Sequence, residues 1–317
     1  MMKLVAVVVA LAACQPPTTP AQPVSPLPPD PGAPVAPAAG SDGSAAPVAK
    51  HVDWPKYPDL TGAPDSHPSG DPIALPSPVV KAGDRERRTM TSTFEQHYIS
   101  GTSTRFQLTK RDFDLEVTVL AVDAGHPSRL EVVAHKANEW IALADAPTTV
   151  PREDGALLDG TYTVSSGPSA ELHDDTKVTR GPGLDVYGRE QEELAGIFGA
   201  DLRSNDPMAD FMRGRKLRLG EVVTVTDAEK KRLEAGTVPS TVTLALVAVD
   251  AASVTYQLDI HITQTDDSQM EIRARGAITF DRKTGQRLSQ TEQTHKHEVN
   301  KYGDDDTFDA STIRWKR

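Results

Sequence analysis

The chain has 317 residues, a formal net charge of −11 and a sequence pI of about 5.3, with 38% hydrophobic and only 5% aromatic residues. The excess of acidic groups argues against a nucleic-acid partner held by phosphate contacts, and it equally argues against a polybasic membrane-surface patch. The modest supply of apolar side chains indicates that part of the chain lies outside any core. Because there is a single cysteine, the fold depends on burial and hydrogen bonding rather than on internal disulfides.

The N-terminal residues have the pattern of an export signal. Lys3 supplies a positive charge, and residues 4–10 (LVAVVVA) form a short apolar stretch. The small residues Ala12 and Ala13 then precede Cys14, the only thiol of the chain. The apolar stretch is far shorter than the roughly 20 residues that a membrane-spanning helix needs.

This pattern resembles a bacterial lipoprotein signal with its lipobox. The resemblance implies a signal peptide over residues 1–13 and a lipid on Cys14, which would anchor the protein in a membrane. Gln15 is not Asp, the residue that resembles an inner-membrane retention signal, so the resemblance implies sorting to the outer membrane. The alternative is an ordinary secretory signal with an incidental cysteine.

Residues 14–78 differ in composition from the rest of the chain. They hold most of the 25 prolines, and residues 15–50 contain mainly Ala, Gly, Ser, Val and Thr between them. Such a segment lacks the apolar content to offset its ordering entropy, so we predict a disordered or polyproline II tether behind the lipidated Cys14. The tether is either a spacer that holds a globular domain away from the membrane or a linker of no particular length.

From residue 79 onward, apolar and polar residues alternate. Leu258, Ile260 and Ile262 alternate with Asp259 and His261, which is typical of antiparallel strands that cover a core on one side only. We therefore predict a mainly β (α+β) fold over residues 79–317, with antiparallel sheets and a few short helices packed on one face.

Two helices are predicted between the strand groups. Residues 189–202 place apolar side chains on one stripe, and residues 207–213 follow Asp206, a helix-capping residue type. Thr226 and Glu229 have the spacing of a capping box, which favours a third short helix, although a strand remains open there. We expect the first two helices to fill one common core with both strand groups, including Leu194, Ile197, Phe198, Phe211, Leu258, Ile260 and Ile272.

The chain also contains an internal repeat. Residues 115–124 read LEVTVLAVDA and residues 242–251 read VTLALVAVDA, and each is followed by another alternating strand. A Gly-acid step precedes each of them, at Gly83 and at Gly220. Because the order of features occurs twice, we predict a duplication.

The predicted repeats cover residues of about 79–185 and 215–300, joined by a helical connection at about 188–214. Asp123 and Asp250 end the matching strands, where an aspartate commonly stabilises a turn. The alternative is a pair of buried catalytic aspartates at equivalent positions.

The lipobox, the proline-rich tether and the duplicated β-rich halves together resemble uncharacterised duplicated lipoproteins of Gram-negative envelopes. They are more distantly similar to the half-barrel lipoproteins of the LolA, LolB and LppX type. This resemblance implies a half-barrel-like antiparallel sheet that wraps helices and can enclose an apolar cavity for acyl chains. No diagnostic motif accompanies it, so no family site is transferred.

Few residues suggest chemistry. His295 and His297 lie on one face of a predicted polar strand, with Glu292 and Glu298 nearby, and are weak candidates for metal ligands. A polar strand without metal is the alternative, and no cofactor is expected. A solvated turn after Gly303 is expected for the acidic residues Asp304, Asp305, Asp306 and Asp309.

Three hypotheses for the function follow. The preferred one is a non-enzymatic envelope lipoprotein that faces the periplasm or the cell surface and binds a lipid, another hydrophobic ligand or a protein partner. The second is a structural or assembly lipoprotein that docks another envelope protein. The third is a metal-dependent hydrolase that uses His295 and His297.

Overall fold

A computed structural model gives the fold. It describes residues 60, 66–100, 103–143, 150–151, 158–166, 176–181, 183–202, 207–232, 240–265, 269–301 and 303–317. The signal peptide, Cys14 and the tether before residue 60 lie outside the described residues, so they stay predictions.

The described residues form mainly strands with short helices between two strand groups. The first strands are β1 (Ser69–Ile73), β2 (Arg85–Ser100), β3 (Ser103–Asp123), β4 (His126–Leu143), β5 (Val150–Pro151), β6 (Gly160–Ser165), β7 (Lys177–Arg180) and β8 (Leu184–Asp185). The later strands are β9 (Leu217–Leu219), β10 (Val222–Thr224), β11 (Ser240–Val249), β12 (Ser253–Gln264), β13 (Gln269–Asp281), β14 (Arg287–Asn300) and β15 (Gly303–Lys316). The helices are α1 (Arg189–Leu202), α2 (Pro207–Arg213) and α3 (Asp227–Arg232).

One large antiparallel sheet organises the fold. Its strand order is β10-β11-β12-β13-β14-β15-β2-β3-β4-β6-β7-β8, and β5 pairs with β4. In the described part of the chain, the edge strands β10 and β8 do not pair with each other, so the sheet is open. The predicted mainly β, antiparallel fold class is confirmed.

The two strand groups are joined through β15 and β2. Asp304 pairs with Ile99 at one end of this ladder, and Lys316 pairs with Arg87 at the other. Backbone hydrogen bonds therefore run without interruption from β10 to β8, and the two halves form one sheet.

The first core lies between α1 and strands β2 to β7. Leu194 and Phe198 are fully buried on one stripe of α1, and they meet buried side chains such as Leu115 and Tyr162. Arg111 on β3 pairs with Glu139 on β4 at 2.9 Å, and Arg189 of α1 reaches Glu139 at 3.0 Å, which ties the helix to the sheet. Burial of each large apolar side chain contributes roughly 1.5–3 kcal/mol.

A second core lies on strands β11 to β13 and is covered by α2. Tyr256, Leu258 and Phe280 are buried with Met208 and Met212. The expected common core is therefore wrong. Leu194, Ile197 and Phe198 belong to the first core, whereas Phe211, Leu258, Ile260 and Ile272 belong to the second. The reason is that each helix is short enough to cover only its own half of the sheet.

The structure supports the predicted duplication in detail. Gly83 N donates to Val119 O at 2.8 Å and Val119 N donates to Asp84 O at 2.9 Å. In the second half, Gly220 N donates to Leu246 O at 2.8 Å and Leu246 N donates to Glu221 O at 3.2 Å. Val119 and Leu246 hold the same place in the two repeated decapeptides.

The acidic residue of each step also closes the same turn. Asp84 Oδ2 accepts from Lys81 N at 2.8 Å, and Glu221 Oε2 accepts from Arg218 N at 2.8 Å. A basic residue thus begins this turn in each repeat, and the Gly-acid pair is a structural element made twice.

Matching β-bulges follow these turns. The register shifts between Val119 and Ala121 and again between Leu246 and Ala248, so Leu120 and Val247 are the extra residues. A third shift opposite Thr279 and Phe280 leaves Leu288 as the extra residue of β14. All three aliphatic side chains are exposed, by 36–38%.

The third helix is confirmed, and the strand alternative is not. Glu229 N donates to Thr226 Oγ1 at 3.4 Å, and Thr226 N donates to Glu229 Oε2 at 2.9 Å. This reciprocal pair is the predicted capping box.

The prediction that the tether extends to residue 78 is wrong in its last part, because residues 66–78 pack on the folded domain. Strand β1 pairs with β9, and Ile73 and Leu75 pack against the second core. Proline is compatible with β1 because β1 pairs with only one neighbour in the described part of the chain. Composition alone could not separate a packed proline-rich strand from a disordered one.

Two glycines allow this segment to approach closely. Gly220 has a φ of +76°, and a Cβ there would lie 2.4 Å from His67 O. Gly285 has a φ of +69°, and a Cβ there would lie 1.8 Å from Pro76 O. Both positions therefore require the absence of a side chain as well as a left-handed backbone.

The prediction of a solvated turn after Gly303 is also wrong, because the acidic residues there lie on β15. Their strand is flanked by β14 and β2, whose side chains include Lys296, His295 and His97. This segment is polar on both faces, so its sequence lacks the alternation of apolar and polar residues that predicts a strand.

Asp123 and Asp250 lie at turns and are exposed, so the alternative of buried catalytic aspartates is wrong. Asp250 Oδ1 accepts from Ser253 N at 2.6 Å, and Oδ2 accepts from Ser253 Oγ at 2.7 Å. The Ser253 hydroxyl and the backbone donors hold the pKa of Asp250 below its usual range. Asp123 pairs with His126 across Ala124 and Gly125, both with positive φ.

Candidate functional site

A cleft of about 1060 Å³ opens at one end of the sheet, with lining residues from both halves. We call this end, where Asp123–His126, Asp281–Arg287 and Lys316 lie, the cleft end. The strand register places these turns together, since Phe280 pairs with Arg287 and Lys316 with Arg87. The opposite end, where β14 turns into β15 at Asn300 and Gly303, is the far end.

One part of the cleft wall is apolar. It combines residues 75–80 with the last part of β3 and the first part of β4. The apolar lining residues are Leu75, Pro78, Val79, Val80, Val117, Val119, Pro127 and Leu130.

The other part of the wall is charged and contains a buried arginine. Arg88 is 4% exposed and pairs with Glu86 and with Asp201, each at 2.7 Å. Asp201 lies in the last turn of α1 and also accepts a hydrogen bond from Arg287. Burial alone would raise the pKa of Asp201, but the adjacent guanidinium groups of Arg88 and Arg287 outweigh burial and lower it.

Aromatic rings complete this charged wall. The Arg88 guanidinium lies 4.8 Å from the ring centroid of Phe198 and 5.5 Å from that of Trp315. Arg287 lies 4.8 Å from the Trp315 centroid on β15. Both arginines are therefore held in place by ring contacts and ion pairs.

One buried donor in this wall is unused. Within the described residues, Arg88 Nε has no hydrogen-bond partner. A buried guanidinium N–H without an acceptor is unfavourable, so an acceptor group that reached this donor would be stabilised by it. The wall thus combines apolar surface with a buried arginine that Glu86 and Asp201 pair.

Basic residues exceed acidic ones in the cleft lining, although the chain as a whole carries a net charge of −11. The acidic lining residues are Asp84, Glu86, Asp201 and Asp210. The basic lining residues are Lys81, Arg85, Arg88, Arg213, Arg287 and Arg317, and His126 is nearby.

The predicted metal ligands lie elsewhere, on the far half of β14. His295 Nε2 lies 2.6 Å from Asp306 Oδ1, and His297 Nδ1 lies 3.6 Å from the same oxygen. Asp306 is buried, is hydrogen-bonded to His295 and lies beside His297. In the described parts of the chain, no three His, Cys, Asp or Glu side chains are grouped so that they could hold a metal ion.

Sequence reasoning missed Arg88, Asp201, Arg287 and Trp315. The residues around each of them show only the usual alternation of a strand or stripe of a helix. They meet because β15 pairs with β2 and because the last turn of α1 packs against Arg88. The run Arg85-Glu86-Arg87-Arg88 was the visible signal of a buried charge. On a strand with one buried face, such a run turns a charged side chain toward the core, where it needs a partner of opposite charge.

Comparison with known proteins gives only distant similarities. No protein-family model matches the chain, and a search of curated proteins finds no match. Among solved structures, lipovitellin, described for its lipid–protein interactions, aligns with a TM-score of 0.41 and 8% identity over 75% of this chain and 25% of that one. The chain therefore spans a quarter of the length of that protein.

Two solved structures of bacterial proteins also align. The translocator domain of the autotransporter NalP from Neisseria meningitidis aligns with a TM-score of 0.21 and 7% identity, over 74% of this chain and 89% of that one. An outer membrane channel from Pseudomonas putida F1 aligns with a TM-score of 0.23 and 7% identity, over 75% of this chain and 97% of that one. None of these similarities is close enough to show a shared fold.

Among the described residues, no helix combines the length and apolar character that crossing a bilayer requires.

Proposed function

We propose that this protein is a non-enzymatic, lipid-anchored envelope lipoprotein whose cleft binds an amphiphile with an acyl chain and an anionic head group. The lipid on Cys14 and the outer-membrane address come from the signal pattern. The cleft supports the ligand class, because its wall has one apolar part and one cationic part.

The observation that carries the proposal is Arg88. Its side chain is buried in the cleft wall, and its Nε donor has no partner within the described residues. A carboxylate or phosphate oxygen would satisfy this donor in a charge-assisted hydrogen bond. The apolar wall formed by Val80, Val117 and Leu130 would accept the chain of the same ligand.

The volume is consistent with one amphiphile. Ligand-binding pockets commonly measure about 300–1,000 Å³, with apolar walls and a few polar groups that fix the ligand's orientation. At about 1060 Å³ the cleft lies just above this range.

Two measurements test the proposal. Native mass spectrometry of the protein purified from its own membrane should show a co-purifying amphiphile. In solution, a fluorescent fatty acid should bind more tightly than its methyl ester, because only the acid offers a carboxylate to Arg88. Equal affinity for the two probes, or no binding of either, would contradict the proposal.

A blocking variant localises the binding. Ser77 is exposed and lines the cleft, so Ser77→Trp should fill space there without disturbing a core. Thr104, exposed near the far end, gives the matched control Thr104→Trp. The fatty acid should lose affinity for the Ser77 variant and retain it for the control.

An assembly role is the second candidate, and a separate surface favours it. Leu184 and Tyr187 beside the edge strand β8 are 69% and 80% exposed. Edge strands with exposed apolar side chains are common docking sites. Cross-linking from Tyr187→Cys to one envelope protein would support this role.

A further inference from the structure

The cleft end of the sheet is basic, although the chain is acidic overall. Cationic side chains are exposed on several turns and strand ends there. They include Lys81, Arg85, Arg218, Arg282, Lys283 and Lys316. Fewer acidic side chains are exposed at this end. They include Asp84, Asp123, Asp210 and Asp250, and Asp84 and Asp250 accept turn hydrogen bonds.

The far end exposes fewer cationic side chains, among them Arg105 and Lys301. Its acidic residues Glu298, Asp304, Asp305 and Asp306 are half-buried or buried and lie beside Lys296, His295 and His297. The cleft end is therefore the end of the sheet with the larger exposed positive charge, and such a surface is attracted to an anionic one.

Exposed aliphatic side chains accompany the basic ones. The three bulge residues Leu120, Val247 and Leu288 all lie at the cleft end, within a few residues of its turns. Val79 and Leu219 add two more exposed side chains near the Gly-acid turns. A bulge leaves its extra residue outside the regular ladder, so these side chains project without a cross-strand partner.

The duplication makes this arrangement twice. Lys81 and Arg218 begin equivalent turns, and Leu120 and Val247 are equivalent bulge residues. Each repeat thus presents one cation and one aliphatic side chain at the same end. Basic and aliphatic side chains together are the combination that binds the interface of an anionic bilayer.

We infer that the cleft end docks on an anionic lipid bilayer surface. The basic residues attract the lipid phosphates, and the bulge residues enter the interfacial region. Docking in this orientation places the cleft mouth against the bilayer, so an amphiphile passes between membrane and cleft without crossing water. The second part of this inference rests on the proposed function, and the first does not.

Vesicle flotation tests the docking surface. The protein used is the chain from position 14 with Cys14→Ser, which has no lipid anchor. It should float with vesicles that contain about 30% phosphatidylglycerol, and much less with pure phosphatidylcholine. Binding should weaken as salt rises from about 0.1 M to about 1 M. Equal binding to both vesicle types, or none to either, would overturn the inference.

Matched charge variants locate the surface. Lys81→Glu with Lys283→Glu should reduce vesicle affinity at least about tenfold. Arg105→Glu with Lys110→Glu makes the same change in net charge on exposed residues away from the cleft end, and it should leave affinity within about twofold. Equal losses in the two variants would mean that total charge, and not this end, governs binding.

A second pair of variants tests the bulge residues. Changing Leu120, Val247 and Leu288 together to Asn should lower vesicle affinity, whereas changing Leu184, Tyr187 and Val299 to Asn should not. All six side chains are at least 36% exposed, so neither variant removes a core residue. Unchanged binding in the first variant would exclude insertion of these side chains.

The two proposals fail separately. If vesicles bind and no amphiphile co-purifies, the docking surface stands and the ligand-binding function is wrong. If an amphiphile co-purifies while vesicle binding is absent, the docking surface is wrong and the cleft retains its function.

Discussion

Asp201, in the last turn of α1, binds Arg287 on β14, a residue 86 positions further along the chain. An aspartate at a helix C-terminus is unfavourable by itself, because that end carries partial negative charge, and the last turn of α1 contains no basic residue. Arg88 and Arg287 supply the missing positive charge. One carboxylate thus connects α1, which packs on the first core, with β14 of the second strand group.

Loss of this carboxylate should destabilise the protein. The Asp201 and Arg88 side chains are 12% and 5% exposed, so Asp201→Asn leaves a buried guanidinium group with less compensation. We expect a loss of about 3 kcal/mol in the free energy of unfolding, measured by urea titration. Asp71→Asn, at an exposed position on β1, should change it by less than about 0.5 kcal/mol. Equal effects would show that the ion pair is not structural.

The equivalent glycines of the two repeats provide a second test. Gly83 and Gly220 both have positive φ, but a Cβ at Gly83 meets no atom within 4 Å, whereas one at Gly220 meets His67 O at 2.4 Å. Gly83→Ala should cost about 1 kcal/mol from backbone strain alone. Gly220→Ala should cost clearly more, because residues 66–68 must also move. Similar melting temperatures for the two variants would contradict the docking of residues 66–78.

Asp309 should make stability depend on pH. Burial raises the pKa of Asp309 to about 6, with Arg111 opposing the shift. An acid whose pKa is raised on folding favours the folded state at low pH, and this contribution is lost as pH rises through about 6. Asp309→Asn should therefore stabilise the protein by about 1–2 kcal/mol near pH 7.5, allowing for partial solvent exposure, and much less near pH 4.

The measurement is thermal unfolding at the two pH values. Asp71→Asn serves again as the exposed control and should show no such pH dependence. A stabilisation of Asp309→Asn that is the same at both pH values would show that ionisation is not its cause.

The lipid anchor is tested by fractionation. Cys14→Ala should move the protein from the membrane pellet to the soluble fraction, because stable anchoring needs more than one acyl chain or an added membrane-binding surface. High salt should release any remainder that is held by the basic cleft end. Retention in the membrane pellet after both treatments would rule out Cys14 as the anchor.

The sequence was sufficient for those features that depend on local patterns. Alternation at Leu258 and Ile260, the stripe through Leu194 and Phe198, and the capping box at Thr226 each reflect neighbouring residues, and each is confirmed. The matching turns at Gly83 and Gly220 were visible because the same order of residues occurs twice in the chain.

Features that depend on distant residues were not predictable in this way. The cleft is made where Arg88, Asp201 and Trp315 meet, and no spacing in the chain relates them. Composition also misassigned residues 66–78, since proline content says nothing about whether Ile73 finds a core. Net charge likewise concealed the basic end, because the strand register decides which charged residues are brought together at one end of the sheet.

The pairing of β15 with β2 has a consequence for the order of folding. Gln96 and Asp305 are hydrogen bonded at 2.9 Å across 209 positions, so the centre of the sheet closes only after nearly the whole chain is available. Contacts of such long range slow folding. If the N-terminal pattern is an export signal, as predicted, late closure would keep the chain competent for translocation. A chain that lacked β15 would leave β2 and β14 as long unpaired edges, and we expect it to aggregate rather than to divide into two stable halves.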